Sequence, residues 1–138
     1  MTPAQIDTVK TSFASVLPIS DKAGMLFYDR LFTVEPSLRP LFKGDIAAQS
    51  RTLMRMIATA VNGLDRLETI VPAVQALGIR HAGYGVVEAN YQTVGEALLW
   101  TLQQGLGPAF TPKISEAWAA AYGVLAETMK TAAREAAA

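Results

Sequence analysis

Cysteine is absent from these 138 residues, and histidine occurs once. Without thiols there is no disulfide framework, no thiolate nucleophile, no zinc knuckle and no CxxCH through which a prosthetic group could be tethered. Any bound group must be held without thioether links. Charge is scarce and even. Twelve Lys and Arg face twelve Asp and Glu, and no basic cluster gathers to displace counterions from a phosphate backbone. That excludes nucleic acid as a partner. Long apolar runs are also missing: the longest, AWAAAYGVLA from Ala117 to Ala126, falls short of the about 20 residues that span a bilayer. No membrane role is expected. The opening MTPAQIDTVK lacks the basic-then-apolar layout of a secretory signal, so a cytoplasmic protein is expected. Alternating strand patterns, internal repeats and a GxGxxG phosphate loop do not occur either.

What the chain has is apolar material. A hydrophobic fraction of 51% and a mean hydropathy of +0.23 supply more than one core needs, enough to line a pocket. The length suits a single domain over residues 1–138. Thr2-Pro3-Ala4-Gln5 has the layout of a capping box and opens a helix to about Val16. Pro18 interrupts it. Ser20-Asp21 opens a second helix, in which Gly24, Phe27, Tyr28, Leu31 and Phe32 recur at the helical period until Glu35-Pro36. A short turn of helix from Pro36 toward Phe42 precedes Lys43-Gly44-Asp45, a loop ending in an N-cap. From Ile46 another helix carries Leu53, Ile57, Ala60, Val61 and Leu64 on one face. After a break near Asn62-Gly63 and Asp65, the stripe Ile70, Val74, Leu77, Gly78 and His81 runs up to Gly83 and Gly85, which stop it. Two longer helices follow. One carries Tyr91, Val94, Gly95, Leu98, Leu99 and Leu102; the other is capped by Thr111-Pro112 and carries Ile114, Trp118, Tyr122, Leu125 and Met129. The fold class is all-α, with about six to eight helices.

Three polar residues fall on faces that the period sends inward. His81 lies four residues after Leu77, Gln49 four before Leu53, and Tyr28 beside Phe27. Each alone reads as a core residue whose polar tip finds a backbone partner. An imidazole, an amide and a phenol on three helices, in an interior of Leu, Val, Ile and Phe, would be served together by one buried ligand. An imidazole can hold iron on one side of a flat macrocycle, while a phenol and an amide donate hydrogen bonds on the other. Met25, Met54, Met56 and Met129 read as gap-filling core rather than as an axial thioether.

Here a family resemblance enters. LFYDRLF, EPSLRPLF, QSRTLM, RHAGYGV, NYQTVGEALL and AWAAAYGVLA stand in order along the chain. Together they resemble a bacterial single-domain globin, in particular the globin module of flavohaemoglobins and neuroglobin-like bacterial globins. The resemblance implies a globin fold around a haem pocket, with non-covalent haem b. It places His81 as the metal ligand and Phe42 flat against the haem. Tyr28 and Gln49 become the catalytic distal pair that meets bound ligand, and Leu53 the apolar residue above the iron. Leu77, Val87, Tyr91 and Val94 are the further residues expected to contact the cofactor. Gly24 and Ser50 match the small residues at which two helices of the fold cross closely.

The function it implies is high-affinity, reversible O2 binding together with dioxygenation of nitric oxide to nitrate, electrons coming from an external reductase. Non-catalytic oxygen or sulfide binding, oxygen transport or gas sensing is the alternative, and a haem-free helical interaction module a third. Expected partners are O2, NO and other small diatomic ligands, and the expected assembly is a monomer or weak homodimer. One departure from flavohaemoglobins stands out. Their last helix carries a glutamate that joins the proximal histidine and tyrosine, whereas the matching place here is Ala133. Glu135 lies two residues on, about 200° round a helix.

Overall fold

Helix starts follow the caps. Thr2 Oγ1 accepts from the Gln5 amide at 3.1 Å and Gln5 Oε1 accepts from the Thr2 amide at 3.0 Å, a reciprocal box that satisfies two orphan donors. In the computed structural model, which describes all 138 residues, this opens α1 (Pro3–Val16). A 3₁₀ turn at Leu17–Ile19 around Pro18 leads into α2 (Ser20–Val34). A second 3₁₀ stretch, Pro36–Leu41, delivers Phe42 to the loop before Asp45, whose carboxylate accepts from the Ala47 amide at 3.1 Å and starts α3 (Ile46–Asn62). After the turn Leu64–Arg66 come α4 (Leu67–Gly83) and α5 (Glu88–Leu106). The turn Gly107–Ala109 then leads to α6 (Pro112–Ala137), capped by Thr111. Six α-helices and no strand agree with the expected class.

The packing has two centres. In the larger one Val9, Phe13 and Val16 of α1 meet Val61, Leu102, Ala117, Trp118 and Ala121. The smaller gathers Phe27, Tyr28 and Leu31 of α2 with Leu38 and Ala97, and Phe42, Leu53 and Val94 pack on its edge. α2 crosses α3 at Gly24, where a Cβ would lie 2.9 Å from the Cβ of Ser50 and 3.1 Å from its carbonyl oxygen. The two small residues expected at a close crossing do face each other.

One reading of the chain needs correction. Met25 and Met56 are not core: both are exposed. Each lies on the outer flank of its helix, and the Met25 sulfur accepts from Ser50 Oγ at 3.3 Å. α4 runs through Pro72 without breaking. That proline stands near the start of the helix, where the missing amide costs a single hydrogen bond.

One buried polar contact ties the first helix to the last. Trp118 Nε1 donates to Ser12 Oγ at 2.9 Å, and that hydroxyl donates on to the Thr8 carbonyl at 2.7 Å. Ser12→Ala leaves the indole N–H buried and unpaired, so we expect it to destabilise the fold by about 1–3 kcal/mol. The check is urea denaturation, with a lower midpoint and an unchanged slope.

Candidate functional site

α3 and α4 are joined by only a short turn, yet they do not pack on each other to any extent; α3 leans on α2, and α4 on α6. The two helices therefore lean on different neighbours. α3 carries Gln49 and Leu53 one turn apart, and α4 carries Leu77 and His81 one turn apart. At the far end the α4–α5 corner swings back, and Gly85, at φ +99°, lies against the Leu41 side chain. The left-handed conformation there suits glycine alone. The corner is further fixed by the Val86 amide, which donates to the His81 carbonyl at 3.0 Å.

On α4, His81 is half-buried, and its Nδ1 lies 2.8 Å from the Leu77 carbonyl. A carbonyl only accepts, so Nδ1 carries the proton and Nε2 keeps its lone pair. Burial pushes the imidazole below its ordinary range, only partly offset by the Leu77 carbonyl, and the neighbouring Arg80 charge lowers it further. All this leaves the ring neutral with one nitrogen free. No cluster of three or more His, Cys, Asp or Glu exists anywhere in the chain to hold a bare metal ion. One nitrogen donor in apolar surroundings suits a metal that arrives with its other ligands already in a macrocycle. The donor set therefore fits haem.

A separate aromatic group is built on α2. Tyr28 is buried, with its ring 5.0 Å from Phe27, 5.7 Å from Phe32 and 5.2 Å edge-on to Phe42. Burial raises the phenol above its usual value, and the Gln49 side chain draws it part of the way back. The hydroxyl thus stays protonated and able to donate. Arg39 secures Phe42 from outside, donating to its carbonyl at 2.9 Å while lying 5.3 Å over the Phe32 ring.

The sequence-expected residues do not all fall together. Tyr28, Phe42, Leu53 and Val94 share one apolar cluster. Leu77 is half-buried and contributes its carbonyl rather than a wall alone. Two others depart from expectation. Gln49 is exposed, not buried, because the fully covered residue of this turn of α3 is Ser50, 100° round the helix. Val87 is 59% exposed, since it lies outside α5 with its amide tied to Asn90 Oδ1 at 2.9 Å. Tyr91 is buried, and it enters a hydrogen bond only through its backbone, whose carbonyl accepts from Tyr122 Oη at 2.7 Å. The aromatic ring beside His81 is instead Tyr84, 6.4 Å away and 63% exposed, which the sequence did not single out. Beyond Ala133, Glu135 is exposed, and the Arg134 guanidinium reaches back to hold Glu88 at 2.8 and 2.9 Å.

Residues 26–129 match the globin family model. The chain is a globin. With that membership come haem and small gaseous ligands. Solved structures agree over nearly the whole length. A bacterial globin from Campylobacter jejuni is 25% identical, with a TM-score of 0.88 and 99% of each chain covered. An engineered carbene transferase built on a presumed nitric oxide dioxygenase of Rhodothermus marinus is 23% identical, with a TM-score of 0.90, covering 99% of this globin and 96% of that chain. A hexacoordinated haem protein from an anhydrobiotic tardigrade is 16% identical, with a TM-score of 0.88, covering 97% and 96%. The last two speak for the fold alone. No helix of this globin is long and apolar enough to cross a membrane.

Proposed function

We propose that this globin holds haem b non-covalently through His81 Nε2, retains O2 tightly under Tyr28 and Gln49, and converts nitric oxide to nitrate with electrons from a separate reductase. Bound haem would supply an iron that takes up diatomic gases and changes oxidation state. The chain's own residues do the rest. The Leu77 carbonyl orients the His81 ring and keeps its proton on Nδ1. The Phe42 ring, held by Arg39, and Leu53 keep water from the pocket. The Tyr28 hydroxyl and the Gln49 amide donate to the gas molecule facing them.

The observation that carries this reading is the Tyr28 phenol. Tyr28 is buried, its phenol stays protonated, and the side chain within hydrogen-bonding reach of it is the Gln49 amide. A donor so placed favours a ligand that gains negative charge on binding. That is the property of O2 more than of carbon monoxide. Summed over the proposed reaction, NO, O2 and one electron give nitrate, so atoms and charge balance with the reductase as the electron source.

A Tyr28→Phe variant removes the donor and little else. Each net hydrogen bond is worth about 0.5–1.5 kcal/mol, so O2 dissociation should quicken by roughly 2- to 12-fold. Stopped-flow release into a carbon monoxide or dithionite trap measures it, and an unchanged rate removes Tyr28 from the ligand-holding role. Mixing the O2-loaded protein with NO tests the second half. Stoichiometric nitrate supports turnover; its absence leaves a binding protein.

A further inference from the structure

The height and tilt of His81 depend on a single helix crossing. α4 makes its extensive contact with α6 and little with its chain neighbour α3. At the centre of that contact is Gly78, buried, with the Met129 backbone directly opposite. A Cβ at residue 78 would lie 2.6 Å from the Met129 Cα and 2.8 Å from its carbonyl carbon, and would press on its carbonyl oxygen as well. Every one of these atoms is main chain. No rotamer change can relieve the overlap, so one helix must move. Ordinary contact distances set the displacement at about an ångström.

We infer that Gly78 is a positioning residue for the haem ligand, holding α4 against the α6 main chain so that His81 stands at the right distance from the cofactor. The inference rests on His81 being that ligand. His81 is the third residue after Gly78, which puts them within about 60° on the same side of the helix, one turn apart. The Leu77 carbonyl that orients the imidazole belongs to the peptide group joining Leu77 to Gly78. A shift at 78 is therefore delivered to the ring as a rigid-body movement. Glycine inside a helix is unfavourable relative to alanine. Its place here is explained by the crossing and by nothing in the helix itself.

A built-in control lies five residues on. Gly83 belongs to the same helix, has nothing within 4 Å of its would-be Cβ, and shows no positive φ. Gly83→Ala tests helix propensity without the crossing. In haem-loaded Gly78→Ala protein the iron–histidine stretching band should shift, and haem transfer to an acceptor globin should quicken about 10-fold or more, the factor that overpacking of 1.4 kcal/mol gives. Gly83→Ala should leave both readouts as in the parent chain. A Gly78→Ala protein with the parent band and parent haem loss overturns the inference.

If Gly78→Ala does not fold, amide exchange on the parent chain decides. Residues 74–82 should exchange together with the facing turns of α6; an α4 that opens while those turns stay protected overturns the proposal. Run on haem-free protein, the same measurement separates two failures. A parent chain that takes up no haem removes the proposed function, while coupled protection of α4 and α6 would still assign the crossing to Gly78.

Discussion

His81→Ala protein, purified and given haem, should show no stable Soret band. The chain offers no substitute: it has no other histidine and no cysteine, and no group of acidic or imidazole side chains able to hold a metal. Apolar walls alone retain a flat macrocycle weakly. Removing merely the partner that orients a ligand costs 10- to 100-fold in metal affinity, so losing the ligand itself should exceed about 100-fold. The loss is specific to the ring nitrogen. In a His81→Gly variant, free imidazole at millimolar concentration should restore colour, because the space and the Leu77 carbonyl that oriented the ring both remain. Parent-like haem uptake by His81→Ala, with the parent spectrum, would remove His81 as the ligand and the proposed function with it.

The largest loss of stability is expected from Leu31→Ala. Leu31 is 1% exposed, among the most deeply enclosed side chains of the protein, and lies one turn after Tyr28 on α2. Its neighbours are Phe27, Tyr28, Leu38 and Ala97, with Phe42, Leu53 and Val94 around them. Truncating a leucine so enclosed costs about 2–5 kcal/mol, part in lost transfer energy and part in the cavity left behind. For a chain of this length each kcal/mol lowers Tm by roughly 3–4 °C, so a fall of about 6–20 °C follows. Thermal unfolding of haem-free protein is the clean measurement, since bound haem adds its own stabilisation by mass action. The same cavity lies under Tyr28, so O2 release in the loaded protein should quicken as well. A Tm within about 2 °C of the parent would mean that the smaller core is not packed as described.

The sequence disclosed more of the site on α2 and α4 than on α3. Tyr28 and His81 were legible because each interrupts an apolar stripe long enough for its phase to be read. The phase of α3 was read correctly for Leu53 but not for the burial of Gln49. Periodicity says which residues share a face; it does not say whether a neighbour covers it, and α4 leaves that flank of α3 open. Val87 was expected at the cofactor from the family resemblance, but it stands exposed ahead of α5. Tyr84 went unnoticed since a tyrosine between two glycines reads as turn. The signal that would have found it was its distance of three residues from His81, one helical turn. The methionines misled for a related reason: Met25 and Met56 have the right spacing on the wrong side of their helices.

By itself the sequence determined the helical class, several of the helix starts and the family, and it singled out one imidazole. These follow from local rules, caps, prolines and apolar periods, together with the arithmetic of a chain having one histidine and no thiol. Only the tertiary structure decided how the helices stand to one another: that α3 packs on α2 and α4 on α6, that Gln49 remains exposed beside a buried Tyr28, and that Gly78 meets the backbone of Met129. Those relations join residues up to 51 positions apart. They arise from which surfaces find close-packed partners, a property that no single helix carries in its own pattern.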